Sequence, residues 1–320
     1  LQALMNPIAS LVLIRMNGGT AMMRILGIVG VQVCICVPII VFQFCKGKEF
    51  FSKEYWGYAL RIGIPIVPHY LSGIILNQGD RIMIDKMVGK TEVALYGLAY
   101  SIGMLVQLFI SGMNSALTPW MYSKIKKGDI CSMRKVLQLL SVVVVGIAVA
   151  LMLISPELGL IFGSPKYREA VYVIPPVAAS VFFIFIYNIL SMPQFYYEKT
   201  QFLMAASMAA AGANVVLNFI FIRLFGYIAA GYTTLACYML YSVGHYIVSK
   251  RILVNEEIQE NLMSPGFLVA CSVFLIGASI ICNLIFPYRI LRYAILLASA
   301  GLVFWKKELL LKTMADIRKK

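Results

Sequence analysis

Nine long runs of apolar residues, separated by short polar segments, follow one another along the chain. Each run is close to the roughly 20 residues that cross a bilayer as an α-helix. The runs are continuous, whereas the strands of a membrane barrel alternate apolar and polar residues. The pattern therefore predicts an all-α polytopic membrane protein. Its predicted spans are 21–45, 59–84, 95–119, 134–155, 170–192, 202–223, 227–249, 266–286 and 288–305.

Composition excludes several protein classes. Hydrophobic residues make up 61% of the 320 residues and charged residues only 13%, so the chain cannot form the polar skin of a soluble enzyme. The seven cysteines form no CxxC pair, and only two histidines accompany them. We therefore expect neither a disulfide scaffold nor a metal site, and no cofactor.

The net charge of +14 reflects membrane topology in our interpretation. No basic run is interleaved with stacking aromatics in a polar segment, so no nucleic-acid partner is expected. Counted over alternate loops, 18 of the 28 Lys and Arg residues fall on one side. The positive-inside rule places that side, and the C-terminus with it, in the cytoplasm.

Two polar segments, 46–61 and 249–264, divide the spans into a leading part, a block of six and a trailing pair. The aromatic residues of the first, Phe50, Phe51, Tyr55 and Trp56, suggest an amphipathic interfacial helix. Residues 1–16 carry no signal-peptide pattern and resemble the end of a helix. We therefore expect the chain to be incomplete at its N-terminus.

Polar residues inside a span are candidate functional groups, because burying them in hydrocarbon is costly. His69, Gly73, Asn77 and Asp80 lie three or four residues apart and share a helix face. Asp80 has no partner on its own helix, which favours a cavity-facing role. His69 is compatible with simple packing.

Arg81 allows two interpretations. It precedes Asp85 by four residues, a spacing that permits an ion pair on the helix surface. It could equally face a cavity beside Asp80.

Two further stripes run along later spans. Gly103, Gln107, Ser111, Asn114 and Thr118 form the first, and either a hydrated path or helix–helix contact explains it. The second consists of Ser207, Ala211, Asn214 and Asn218. Its small residues favour close helix packing.

No catalytic motif is present: the sequence lacks GxSxG, HExxH and a Walker A loop. The chain is therefore not expected to be an enzyme. Uphill transport would have to draw on a gradient or on consumption of the product.

An ordered series of segments resembles the polysaccharide-flippase family of the MOP (multidrug/oligosaccharidyl-lipid/polysaccharide) exporter superfamily. The series opens with a proline-broken helix that ends in Asp80-Arg81, and ALYGLAYS (94–101) leads into a span with Pro119 near its end. YREAVYVIPPVAASVFFIFIYNILSMPQFYYEKT (167–200) and NVVLNFIFIRLFGYIAAGYTTLACY (214–238) complete the series. The resemblance covers about 57–250.

This resemblance implies a MOP/MATE-like transporter, represented mostly by its second six-helix lobe and a terminal helix pair, helices six to fourteen of fourteen. The implied domains are the end of a first lobe (1–45), a cytoplasmic linker (46–58), a second lobe (59–250), a cytoplasmic loop (251–265), the helix pair (266–305) and a basic cytoplasmic tail (306–320).

The resemblance also implies the substrate, an undecaprenyl-diphosphate-linked oligosaccharide flipped to the outer leaflet of the cytoplasmic membrane for O-antigen, lipopolysaccharide, capsule or exopolysaccharide assembly. Glycosyltransferases and a polymerase would be its partners. The candidate cavity residues are Arg24, Arg81 and Lys86 as cations, Asn77, Gln107 and Asn114 for the glycan, and Asp80 and His69. The alternatives are a cation-coupled drug exporter, a lipid II flippase, and a membrane glycan polymerase or ligase.

Overall fold

A computed structural model describes residues 2–16, 21–48, 51–163 and 165–305. Within these ranges the chain is helical and contains no strand, as predicted. The basic tail predicted at 306–320 lies outside the described residues. The helices are α1 (Gln2–Met16), α2 (Ala21–Gly47), α3 (Lys53–Met87), α4 (Lys90–Gly103), α5 (Leu105–Lys126), α6 (Ile130–Phe162), α7 (Ile174–Tyr196), α8 (Thr200–Phe225), α9 (Ala229–Asn255), α10 (Pro265–Ile285) and α11 (Arg289–Trp305).

Six of the described helices are long and apolar enough to cross a membrane: α2, α3, α6, α7 with the 3₁₀ turn before it, α8 and α10. The α4–α5 pair would make a seventh. The predicted spans at 227–249 and 288–305 are helical too, as α9 and α11. However, α9 carries many tyrosine, serine and threonine residues, and α11 has only 17 residues.

The span predicted at 95–119 is not one continuous helix. The chain bends by 42° between α4 and α5 at Met104. Backbone hydrogen bonding continues through the bend, since Met104 N–H donates to Tyr100 at 2.9 Å and Met104 C=O accepts from Gln107 at 2.9 Å. Pro119 lies a further 15 residues along the chain, so the bend is not a proline kink.

The N-terminal end of α3 differs from its sequence-based interpretation. Residues 53–58, predicted as part of a linker, continue into α3 without a break in the helix. Pro65 and Pro68 lie inside α3, which membrane helices tolerate.

The chain divides into two compact units, residues 1–61 and 62–320. In the first unit, α1 packs against α2. The helices approach closely at Gly27, where an added Cβ would lie 2.7 Å from Ser10 Cα. The Ser10 hydroxyl donates to the Arg24 carbonyl at 3.3 Å.

The second unit is built around α7. Almost every residue of α7 is buried, and the helix packs most extensively against α9 and α6. Its sequence is apolar on all sides, which is the pattern of a helix enclosed by others. The outward faces of the surrounding helices carry large apolar side chains such as Ile161 and Leu224. In a multi-pass membrane protein, these faces meet lipid.

An ion pair fastens the C-terminal helix to this unit. Both Arg292 terminal nitrogens donate to the Glu157 carboxylate, at 2.7 and 2.8 Å, so α11 is joined to α6. Arg292 Nη1 also donates to the Leu153 carbonyl at 2.6 Å. Arg292 is buried, so the fork-shaped geometry is held in a low-dielectric setting.

A second polar cluster closes the loop between α5 and α6. Asp129 precedes α6 and accepts from the Ser132 N–H at 3.3 Å, which is the arrangement of an N-cap. The buried Lys124 amine donates to the same carboxylate at 2.6 Å. These charge-assisted bonds, that from Lys124 foremost, hold the pKa of Asp129 well below its usual range.

Candidate functional site

Asp80 lies at the centre of a buried polar cluster to which four helices contribute. Its Oδ2 accepts hydrogen bonds from the Tyr96 hydroxyl on α4 at 2.5 Å and the Thr234 hydroxyl on α9 at 2.7 Å. Its Oδ1 accepts from the Asn218 amide on α8 at 2.5 Å. The side chain is fully buried. The sequence predicted that Asp80 faces a cavity. In the structure it does not, because donors from three other helices surround it.

The cluster extends along α8 and α9. Asn218 also donates to Asn214 Oδ1 at 3.1 Å, and the Thr233 hydroxyl donates to Asn218 Oδ1. Asn214 and Asn218 are four residues apart and both face inward. The close packing predicted for the stripe Ser207, Ala211, Asn214 and Asn218 is confirmed, since all four are buried and α8 packs against α9.

The chemistry of this cluster suits a small, hard cation or a proton. One carboxylate, two amide carbonyls and three hydroxyls supply oxygen ligands, which Na⁺-like ions prefer to nitrogen or sulfur. A buried carboxylate within a membrane is also a typical proton-exchange group. The described residues contain no group of three or more His, Cys, Asp or Glu able to hold a transition metal.

An open groove of about 710 Å³ lies beside this cluster, between α3 and the α4–α5 bend, with Tyr187 of α7 contributing to its wall. Its polar wall contains Asn77, Gln78, Arg81 and Ser101. Its other lining residues are Tyr70, Gly73, Ile74, Tyr100, Met104, Leu105, Leu108 and Tyr187. Arg81 is the sole charged residue among the described lining residues.

Arg81 is oriented by the groove rather than by an ion pair. Its Nη1 donates to Gln78 Oε1 at 2.6 Å, and its guanidinium carbon lies 5.2 Å from the Tyr100 ring centroid. Among the described ion pairs there is none between Arg81 and Asp85, so the surface-pair interpretation is wrong. Arg81 Nε is buried and has no hydrogen-bond partner in the described chain.

Asn77 links the groove to the protein interior. Its Oδ1 accepts from the Tyr100 hydroxyl at 2.9 Å and the Tyr238 hydroxyl at 3.3 Å, while its amide donates to the Gly73 carbonyl at 2.8 Å. The amide is therefore largely satisfied by protein. Its main structural effect is to fix Tyr100, over which Arg81 lies.

His69 belongs to an internal column of aromatic and polar side chains. Its Nδ1 lies 2.6 Å from the Ser207 hydroxyl and 3.1 Å from that of Tyr241. Tyr187 lies 4.4 Å, between ring centroids, from Tyr241 and 5.8 Å from His245. Because Tyr187 also lines the groove, this column reaches from the groove wall to the buried His245.

The remaining predicted residues are not part of the groove wall. Gln107 and Asn114 on α5 are half-buried, and each has a side-chain oxygen without a hydrogen-bond partner among the described residues. Lys86 is exposed beyond the groove on α3. Arg24 is exposed within the first unit. A role in substrate binding stays a prediction for every predicted cavity residue.

Sequence reasoning missed most of the residues that surround Asp80 and Arg81. Tyr96, Tyr100, Thr234 and Tyr238 were assigned no role, although all four are buried here. Their spacing offers a weak signal, because Tyr96 and Tyr100 are four residues apart, as are Thr234 and Tyr238. Each pair therefore presents one polar stripe on its helix.

Comparison with known families identifies this arrangement. A family model described as "Polysaccharide biosynthesis protein" matches residues 1–125, and a second, MatE, matches residues 65–220. Both are families of one exporter superfamily. The chain belongs to the MOP superfamily. The resemblance and the fold class predicted from sequence are thereby confirmed.

Two curated relatives of this MOP-superfamily chain come from Haemophilus influenzae. One, named "Lsg locus putative protein 1", is 28% identical over 171 residues, which are 50% of this chain and 41% of the relative. The other, an "Uncharacterized membrane protein", is 28% identical over 191 residues, which are 56% and 46%. The chain thus spans less than half the length of these relatives. No solved structure matches it.

The matched families are transporter families, and the chain is a multi-pass membrane protein.

Proposed function

We propose that the protein, as part of a complete two-lobed transporter, moves a lipid-linked oligosaccharide from the inner to the outer leaflet of the cytoplasmic membrane. The lipid carrier is a polyprenyl diphosphate, and the glycan serves cell-surface polysaccharide assembly. The C-terminus lies in the cytoplasm, where the positive-inside rule places it.

The groove beside α3 carries this proposal. A sugar diphosphate is too polar and too strongly charged to cross hydrocarbon unaided. The groove offers one guanidinium, that of Arg81, which lies over the Tyr100 ring. An arginine fork matches the geometry of phosphate oxygens. Arg81 would therefore bind the diphosphate.

The rest of the wall suits a glycan. Gln78 accepts from Arg81 through its oxygen, which leaves its amide nitrogen for a sugar hydroxyl. Tyr70 and Tyr187 present rings together with hydroxyls, and such amphipathic side chains fit the mixed polar and apolar faces of a sugar. A large open groove is more suitable for a bulky oligosaccharide than an enclosed pocket would be.

Alternating access would carry the substrate across the membrane, with the lobes rocking about the site. The Asp80 cluster supplies a place where a proton or cation could be exchanged during that cycle. This same cluster, together with the MatE match, favours the second candidate function, a cation-coupled multidrug exporter of the same superfamily.

The decisive experiment deletes the full-length gene and follows lipid-linked glycans on each leaflet. We expect a single oligosaccharide repeat to accumulate on the cytoplasmic side. Repeats that reach the outer leaflet but remain unjoined would instead indicate polymerisation. Unchanged glycan lipids with greater sensitivity to cationic drugs would support the exporter. Accumulation of lipid II would identify the cell-wall precursor as the substrate.

Complementation then tests the groove. The Arg81→Ala variant should insert into the membrane normally, but it should not restore glycan export to the deletion strain, because the cation in the groove is lost. Arg223→Ala is the matched control, since Arg223 is exposed and lies over the Phe219 ring at 3.9 Å, outside the groove. Equal export by both variants, at equal protein levels, would contradict the assignment of the groove as the diphosphate site.

A further inference from the structure

A second concave surface lies between α7, α9 and α10, away from the groove beside α3. It is a narrow apolar groove of about 160 Å³. Both sides are formed mainly by hydrocarbon side chains. Representative lining residues are Phe183, Ile186, Met239, Val243, Leu268 and Val269.

A basic recess of about 520 Å³ adjoins this apolar groove along α9. Tyr246 lines both, and Lys250 and Arg251 line the recess. Val243, Tyr246 and Lys250 follow one another at spacings of three and four residues, so they share one face of the helix. Seven residues of helix separate Val243 from Lys250, a rise of about 10 Å.

The cations of this recess are not neutralised by neighbouring acids. Lys250 and Arg251 are both exposed, and neither forms an ion pair with any residue that the structure describes. The apolar groove thus ends beside two cations that form no ion pair within the described residues.

We propose that this surface binds one anionic glycerophospholipid as a resident ligand. An acyl chain would lie in the apolar groove, while Lys250 and Arg251 would hold the phosphate. Basic recesses next to apolar grooves at the cytoplasmic ends of membrane helices suit such headgroups. Val243 and Val269 are 55% and 62% exposed, so lipid chains have open access to the groove. The ligand is distinct from the transported substrate.

Native mass spectrometry of the full-length protein in detergent tests this site. The probes are phosphatidylglycerol and phosphatidylcholine of the same chain length. We expect retention of one phosphatidylglycerol and little phosphatidylcholine. In the double variant Lys250→Gln/Arg251→Gln, phosphatidylglycerol affinity should fall about 30-fold, at roughly fivefold for each cation near the membrane surface.

Two further variants distinguish a specific lipid-binding site from non-specific attraction of anionic lipid to exposed cations. Lys126→Gln/Lys127→Gln removes two exposed cations at the end of α5 and should leave binding unchanged. Val243→Trp, which fills the apolar groove, should weaken binding while keeping both cations. Equal loss in the control, no loss in the Lys250/Arg251 variant, or equal retention of both lipids would overturn the proposal. So would displacement of the bound lipid by polyprenyl diphosphate.

Discussion

Replacement of Asp80 tests whether its cluster holds four helices together. Asp80→Ala removes three hydrogen bonds, at 2.5, 2.5 and 2.7 Å, from Tyr96, Asn218 and Thr234. Hydrogen bonds between membrane helices contribute about 0.6 kcal/mol on average and ~1.7 at most, so the free energy of unfolding should fall by about 2 to 5 kcal/mol.

Asp80→Asn should cost less, about 1 kcal/mol. One amide oxygen can still accept from both hydroxyls, but the amide nitrogen would then face the Asn218 nitrogen, which is also a donor. Asn218 cannot simply turn, because its own oxygen accepts from Thr233. Asp80→Asn removes the charge but keeps an acceptor oxygen, whereas Asp80→Ala removes both. Comparing the two variants therefore separates the effect of hydrogen bonding on stability from the effect of the charge.

Unfolding of the purified protein in mixed micelles, titrated with a denaturing detergent and followed by circular dichroism, measures both effects. Asp85→Ala is the matched control, because Asp85 is exposed on the same helix, and should change stability by less than about 0.5 kcal/mol. If Asp80→Ala is as stable as this control, the cluster does not join the helices. If Asp80→Asn is as damaging as Asp80→Ala, the hydrogen-bond argument fails.

Three other predictions follow from the fold. Arg292→Ala should lower the free energy of unfolding by about 3 kcal/mol, since it leaves the Glu157 carboxylate with only its longer contact to the exposed Arg289, at 3.9 Å, among the described ion pairs. Arg289→Ala should change the free energy of unfolding little, and equal effects of the two variants in micelle unfolding would contradict this. The bond from its lysine partner depresses the pKa of Asp129 in the folded state. The stability that this bond adds is therefore complete at a pH above the pKa of Asp129 in the unfolded state, and it is lost progressively as the pH falls below about 4. An acid titration of stability should show this loss, and Asp129→Asn should abolish the loss. Gly103→Ala should destabilise by about 1 to 3 kcal/mol through overpacking, whereas Gly112→Ala, with open space around it, should not; similar melting temperatures would refute the difference.

The sequence identified Asp80 and Arg81 but not what surrounds them. An acid inside a predicted span is conspicuous, because hydrocarbon penalises it. The partners Asn218 and Thr234 are 138 and 154 residues away, and helix periodicity relates only positions within one helix. Local spacing therefore suggested a cavity, and only tertiary packing shows a closed cluster.

Helix existence was predictable where apolar runs are long, as in α6 and α7. The division of one predicted span into α4 and α5 was not, since neither proline nor a polar break marks Met104. At this bend α4 packs against α7, and such tertiary contacts have no local signature in the sequence. Tyr187 shows the same limit, because its position in the groove wall depends on where α7 lies.

Gly103 gives the bend at Met104 an unexpected importance. An added Cβ there would lie 2.7 Å from Val177 Cγ1, so α4 rests on α7 at a distance that only a missing side chain allows. Met104, the next residue, lines the groove. The width of the groove therefore depends on a helix contact that does not itself line the groove. Exchange of single methyl groups at this buried contact would therefore change the shape of the groove, while every residue that lines the groove stays the same.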